Sequence, residues 1–469
     1  MAELEAGLAI RDARIAALEG QVAVLAKQVA ELLEKLGRNS RNSHLPPSSD
    51  PPGSHAGKGK KSGRKRGGQP GHGGVTRKLV PLEEVDEVKN LFPKECQNCW
   101  LVLPEVLDPD ATRYQQTELL LPAKRHVREW RCNEVSCPRC GYRTRAPYDK
   151  DQIPASPFGP RLMATAAALS GDYHLSRRKT KRLLFELLGV RMSLGTLSAV
   201  EARVSEALVP AVEQAWQLAH EAPVKHTDGT SWVQAGKTLS LWTIATTMVT
   251  VFKILADHSK ATLEPLYGAL QGILVSDRAK ELNFWAMERR QICWAHLVRR
   301  FVAFSERDGL AGAWGKELLD ATGVLFEYWY DFKAGKLDRA TFVTRVAPLR
   351  QQVEATLERA AAADIAGLSG SCADILEHRA ALWTFVEAVG VEPTNNHAEQ
   401  EIRAFVLWRK RSYGTQSERG NRFAERIMTV THTARKQKKN VFEFLTACCR
   451  AWLSGSRPPL LFPARAMAP

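Results

Sequence analysis

Val224-Lys225-His226-Thr227-Asp228 reads as a short strand that stops on an acid, and Ile273-Leu274-Val275-Ser276-Asp277 is a compact apolar run that stops on another. Leu239 to Ala245 and Met248 to Ala256 read as two strands between them, the first reached through a turn at Ala235-Gly236-Lys237. Asp257-His258-Ser259 caps a helix running to about Leu270, which accounts for Asp257 better than a metal-ligand role does. Gly272 opens the second acid-tipped strand. A helix near Glu281 to Met287, a strand from Gln291 to Trp294 and a helix carrying Arg299 and Arg300 follow. The order is β-β-β-α-β-α-β-α.

That order is the topology of a ribonuclease H-like domain, in which the first and fourth strands lie side by side, so it sets Asp228 next to Asp277. A third acid comes from Pro393-Thr394-Asn395-Asn396-His397-Ala398-Glu399-Gln400-Glu401-Ile402-Arg403. Pro393 blocks an earlier helix start, Asn395 and Asn396 can each accept from first-turn amides, and Glu399 shares a face with Arg403. Glu401 lies about 200° around that helix from Glu399 and is expected to be replaceable. Taken singly, Asp228 could be a turn residue before Gly229 and Asp277 a helix cap; two strands and a helix delivering three carboxylates point instead to a metal site. Magnesium takes hard oxygen ligands, and two ions roughly 3.5–4 Å apart can activate an attacking oxygen and stabilise the leaving one in phosphodiester cleavage or strand transfer. Asp228 is expected to bridge both ions, with Asp277 on one and Glu399 on the other, and Mn²⁺ is the expected substitute.

The rest of the chain is arranged around this centre. Residues 1–36 carry a heptad, with Leu8, Ile15, Val22, Val29 and Leu36 on one seam and Leu4, Leu18, Leu25 and Leu32 on the other, which favours a two-stranded coiled coil and hence a homodimer or higher oligomer. Residues 37–78 form a Ser/Pro/Gly-rich and then basic linker, with Lys58, Lys60, Lys61, Arg64, Lys65 and Arg66 as a phosphate-tracking arm. Residues 79–150 hold Cys96-x-x-Cys99 and Cys137-x-x-Cys140, the spacing of a zinc ribbon whose four thiolates leave no open position, so the zinc is structural. Residues 151–220 are helical. Ser176 caps a basic helix with Arg177, Arg178 and Lys181, Gly189 ends it, and Ser193 caps the next, a helix-turn-helix-like arrangement for DNA. Residues 221–305 and 391–455 are read as two parts of one catalytic domain, 306–390 as an all-helical insertion and 456–469 as a tail. After Glu399 comes a basic-aromatic tract including Arg403, Arg409, Lys410 and Arg411. Cys293-Trp294-Ala295-His296 has half the ligands of a zinc site and no partner pair nearby, so Cys293 and His296 are expected to pack against or support the active site.

Composition agrees with a polyanionic partner. The chain of 469 residues is longer than one core usually supports. Its 66 Lys+Arg against 51 Asp+Glu give a formal charge of +15, which points to nucleic acid rather than a membrane. No charged-then-apolar leader and no span-length apolar run are found, so the cytoplasm is the expected compartment and membrane partners are excluded. A dimeric DNA-binding regulator would need the zipper, ribbon and helices but not three converging acids; a structure-specific nuclease of the same fold would cut without joining.

These residues resemble a known family. The heptad, Asn39-Ser40-Arg41-Asn42-Ser43 with the following Pro-Pro-Ser-Ser-Asp, Gly68-Gln69-Pro70-Gly71-His72, the cysteine pairs, Cys293-Trp294-Ala295-His296 and Asn395-Asn396-His397-Ala398-Glu399 are similar to those of bacterial transposases of the "insertion sequence sixty-six" type. The resemblance implies cleavage and joining at the element's terminal inverted repeats by an Asp-Asp-Glu triad with Mg²⁺, falling on Asp228, Asp277 and Glu399. It also implies small accessory proteins encoded by the same element. Gly229-Thr230-Ser231-Trp232 follows Asp228 where the family usually has Glu-Thr-Gly-Trp, and Gln400 stands where Arg is usual.

Overall fold

A computed structural model describes residues 156–268 and 270–462 throughout and, before them, only short stretches. In those stretches, residues 14–22 are helical with Ile15, Leu18 and Val22 exposed. A small antiparallel hairpin, β1 (Glu134–Ser136) with β2 (Arg143–Arg145), flanks the second cysteine pair. Cys99 and Cys140 are exposed and not disulfide-bonded, whereas Cys96, Cys137, Lys60, Lys61, Arg64, Lys65 and Arg66 lie outside the described residues.

The continuous part begins with helices whose limits are set locally. α1 (Pro160–Ala167) starts on a proline. Ser176 accepts from the Lys179 amide to begin α2 (Arg177–Leu188), which Gly189 ends at φ 63°. Ser193 accepts from the Thr196 amide to begin α3 (Leu194–Ala207). Both serines are the N-caps and Gly189 the left-handed C-cap that the sequence favours. α4 (Val209–Glu221) leads into the sheet.

Five strands form one mixed sheet: β3 (Val224–Gln234), β4 (Lys237–Ala245), β5 (Thr250–Leu255), β6 (Ile273–Ser276) and β7 (Arg290–Ile292), in the order β5-β4-β3-β6-β7. β3 runs well beyond Asp228 because its alternating residues pair with β4 as far as Gln234↔Lys237. The turn between them puts Ala235 and Gly236 at φ 49° and 82°, the two positive values a tight hairpin needs. β6 is parallel to both β3 and β7. This mixed α/β arrangement is compatible with a ribonuclease H-like domain. The helix expected near Glu281 to Met287 is absent; two 3-10 turns, Lys280–Leu282 and Met287–Arg289, stand in its place. The reason is Arg290, fully buried at the start of β7. Its guanidinium takes the Leu282 carbonyl and Asn283 Oδ1, groups that a continuing helix would hold to itself.

α5 (Lys260–Tyr267) is capped by Ser259, with Asp257 Oδ1 accepting from the Ser259 amide and from both Ser259 and Thr262 hydroxyls. The elements that follow β7 are helices up to Glu387: α6 (Trp294–Ser305), α7 (Gly309–Lys333), α8 (Arg339–Ala362), α9 (Ser369–Glu377), α10 (Arg379–Leu382) and α11 (Thr384–Glu387). They share one buried cluster with Val275 and Ile292 of the sheet. The other cluster joins the sheet to α1–α4 and to the last three helices, α12 (Asn396–Ser412), α13 (Glu418–Lys436) and α14 (Val441–Ser454).

α13 closes the sheet's open edge. Thr433, Thr429 and Glu425, one turn apart on one helix face, accept from the amides of Thr250, Phe252 and Ile254 at 3.2, 3.1 and 2.5 Å. These are alternate residues of β5, so a helix supplies the partners a sixth strand would have given. Near the N-terminus, residues 41–43 form a turn tied to Asn39, with the Asn39 amide on Asn42 Oδ1 and the Arg41 amide on Asn39 Oδ1. Asn42 Nδ2 then donates to Glu306 Oε2 at 2.8 Å, docking the turn on the end of α6. Among the described residues, no helix is long and apolar enough to cross a membrane.

Candidate active site

β3 and β6 run parallel with His226 opposite Val275; carried two residues further, the same register sets Asp228 opposite Asp277. Asp228 Oδ1 accepts from the Gly229 amide at 2.9 Å, and Asp277 Oδ1 accepts from the Ala279 amide at 2.9 Å. Arg290 grips the strand end from beneath, donating to Ser276 Oγ and the Asp277 carbonyl, both at 3.1 Å. Burial pulls its guanidinium down to about 10, against the opposing pull of Asp277.

Glu399 reaches this strand end from the first turn of α12, and three contacts fix the approach. The Trp294 amide donates to the Pro393 carbonyl at 2.9 Å, the Asn395 amide to Cys293 Sγ at 3.1 Å, and Asn395 Nδ2 to the Thr227 carbonyl at 2.7 Å. The entry to α12 is thereby tied both to the start of α6 and to the residue before Asp228. Burial first, then the negative charges of Asp277 and Glu399, push the Asp228 carboxyl up to about 8. Glu399 is also raised, by burial and then Asp277, while Arg299 draws it back. The carboxylates of Asp228, Asp277 and Glu399 feel one another's charge, a repulsion that a divalent cation would relieve, and they offer the hard oxygens that magnesium takes.

Several neighbouring side chains have roles that their sequence positions did not reveal. Asn395 occupies the N-cap of α12 but its side chain makes no capping bond; it is spent on Thr227, and Asn396 is exposed as the first helical residue. Ile402 packs inward, whereas Arg403 is exposed, so the two do not share a buried face. Glu401 is not an idle surface acid. His432 Nδ1 lies 2.5 Å and Lys436 Nζ 3.0 Å from its carboxylate, and the hydrogen bond from His432 with the charge of Lys436 holds it down at about 2 despite burial. Lys436 Nζ also meets His397 Nε2 at 2.8 Å, and His397 stacks on His226 of β3. This chain of contacts clamps α12 between sheet and α13.

Two arginines assigned to DNA also make contacts within the chain. Arg409 Nη1 binds the Ser231 carbonyl and hydroxyl on β3, and Arg177 pairs with the buried Glu201 at 2.6 Å. Arg178, Lys181, Arg403, Lys410 and Arg411 are exposed. Gly229 is explained by packing: a Cβ there would come within 2.9 Å of the Trp242 ring. Trp232, at the end of the same motif, is fully buried, donates to Asn421 Oδ1 at 3.1 Å and meets Phe405 and Trp408 edge-on. It is a pillar under α12 rather than a substrate contact. Cys293 and His296 do lie beside Glu399: the donor atoms of the three are within 4.8 Å of one another.

No curated protein matches the chain. A family of unknown function (DUF6444) matches residues 2–78, the heptad and arm. The Transposase IS66 family profile matches residues 155–423, more than half the chain, spanning the capped helices, the sheet, Asp228, Asp277 and Glu399. By that match the chain belongs to the Transposase IS66 family.

Proposed function

We propose that this transposase cleaves and joins DNA at an Asp228-Asp277-Glu399 centre in a ribonuclease H-like domain, acting on the terminal inverted repeats of its element. What supports the reading is that the parallel register of β3 and β6, extended two residues past His226↔Val275, pairs Asp228 with Asp277, and that Asp228 feels the charges of Asp277 and Glu399. Two Mg²⁺ ions, or Mn²⁺ in their place, would supply an activated attacking oxygen and a stabilised leaving oxygen. Asp228 and Asp277 hold the strand-end side and Glu399 the helix side. Arg290 fixes the Asp277 backbone, and Asn395 fixes the distance from helix to strand. Purified protein with labelled element ends and Mg²⁺ tests this. Nicked and joined products are expected; cleaved products with no joining would favour the nuclease, and binding alone would favour the regulator.

Around that centre we read residues 1–36 as the dimerising coiled coil, 79–150 as a zinc ribbon and α2–α3 as a DNA-reading helix pair. Exposed Arg178, Lys181, Arg403, Lys410 and Arg411, with the 58–66 arm, serve as phosphate contacts. Accessory proteins of the same element would join the assembly. Replacing Lys58, Lys60, Lys61, Arg64, Lys65 and Arg66 by Gln should lower the salt slope of DNA binding by up to about 5 with little change in sequence preference. An unchanged slope in a salt titration would remove the arm from the interface. The Cys99→Ser variant should lose the ribbon's zinc, about one ion per chain by elemental analysis; full zinc content would sink the ribbon.

A further inference from the structure

Cys293 and His296, which the magnesium reading does not use, form a cluster with Glu399, which it does. Cys293 caps α6 and His296 follows three residues later, on the first turn. The backbone there is held from two sides: the Cys293 amide donates to the Ser276 carbonyl at 2.8 Å and the Trp294 amide to the Pro393 carbonyl at 2.9 Å. Cys293 is fully buried, while the His296 and Glu399 side chains keep 13% and 27% of their surface, so the cluster opens to solvent on one side. His296 Nδ1 stands 3.7 Å from Glu399 Oε1, and all three donors lie within 4.8 Å of one another. A tetrahedral zinc site with one sulfur, one nitrogen and one oxygen ligand has donors roughly 3.3–3.8 Å apart.

We infer that Cys293, His296 and Glu399 make a binding site for a borderline divalent cation of the zinc type, with a fourth position open to water, and that its occupation withdraws Glu399 from the magnesium centre. A sulfur ligand selects against Mg²⁺ and for Zn²⁺ or Co²⁺. On binding, the thiol loses its proton to solvent and the sulfur–metal bond replaces it, with no redox change. Three protein ligands and one water is an open site, so the ion can exchange. Because Glu399 cannot serve both sites, zinc acts as an inhibitor of cleavage. The occupancy stands on this geometry alone; the inhibition rests on Glu399 being a magnesium ligand.

The test uses the full chain, stripped of metal and titrated with Zn²⁺ and Co²⁺, beside Cys293→Ser and His296→Gln. Every other cysteine is common to the three, so the differences report this site. After desalting, both variants should retain about one zinc per chain fewer than the parent. Cys293→Ser should also lose the thiolate-to-cobalt charge-transfer absorption of one sulfur. His296→Gln, at the more exposed ligand, covers the case in which the buried Cys293→Ser fails to fold. Identical zinc content and cobalt spectra in parent and His296→Gln would overturn the site. In excess Mg²⁺, added zinc should cut parental DNA cleavage at least tenfold and spare whatever cleavage His296→Gln retains. Extra zinc bound through these residues with cleavage untouched would overturn the withdrawal of Glu399. A parent that never cleaves in Mg²⁺ would defeat the catalytic reading while the metal analysis still decides the site.

Discussion

Glu399→Gln is expected to lose DNA cleavage and joining by about a thousandfold or more while keeping specific DNA binding. The substitution preserves size and the position at the first turn of α12 but removes a charge facing the Asp228–Asp277 pair. Metal-assisted phosphoryl transfer draws several kcal/mol from charge stabilisation of this kind, and each 1.4 kcal/mol is about tenfold in rate. Glu401→Gln should behave differently from a surface change, since Glu401 is held by His432 and Lys436 in the clamp behind α12. Leaving the half-buried Lys436 without its carboxylate and His432 without its hydrogen-bond partner should cost roughly 3 kcal/mol of stability, read as a lowered Tm, with chemistry surviving at temperatures where the protein stays folded. Loss of cleavage in Glu401→Gln at full stability, with Glu399→Gln active, would move the third ligand to Glu401.

The second large effect concerns Asp228 in the metal-free protein. Its carboxyl sits at about 8 when folded, against about 3.9 in an unfolded chain. Between those values the folded chain holds a proton that the unfolded chain has released, so this residue's contribution to stability falls as pH rises through the window. Below it both states are protonated and the contribution vanishes. Asp228→Asn should therefore match the parent's stability near pH 4 and exceed it toward pH 8, by on the order of 2–4 kcal/mol, while lacking activity. Mg²⁺ should raise the parent's Tm at neutral pH and leave Asp228→Asn nearly unchanged. Thermal unfolding across pH, with and without Mg²⁺, checks both. Parallel pH profiles for the two proteins would mean that neither burial nor the neighbouring carboxylates raise Asp228.

What could be read from sequence was what short-range chemistry decides. Ser176, Ser193, Ser259 and Gly189 bound their helices because capping depends on residues three or four positions away. The strands bearing Asp228 and Asp277 were legible from alternation and from apolar runs ending on acids. The failures share a longer reach. The expected helix after Asp277 is undone by Arg290, whose burial is dictated by the sheet. Asn395 makes no side-chain capping bond, and its Nδ2 donates instead to Thr227, far back in the chain. Glu401 and Arg409 looked like free charges until α13 and β3 supplied partners. Arg177 gains a partner in Glu201 of α3 that its own helix does not foretell. A charge pattern along one helix does not say which charges the neighbouring element will claim.

The most direct measurement of the central claim is the position of Mn²⁺ in crystals of the protein bound to an element end, located by anomalous scattering. Two peaks among the carboxylates of Asp228, Asp277 and Glu399 are the predicted result. Peaks elsewhere, with these three acids unligated beside bound DNA, would contradict it.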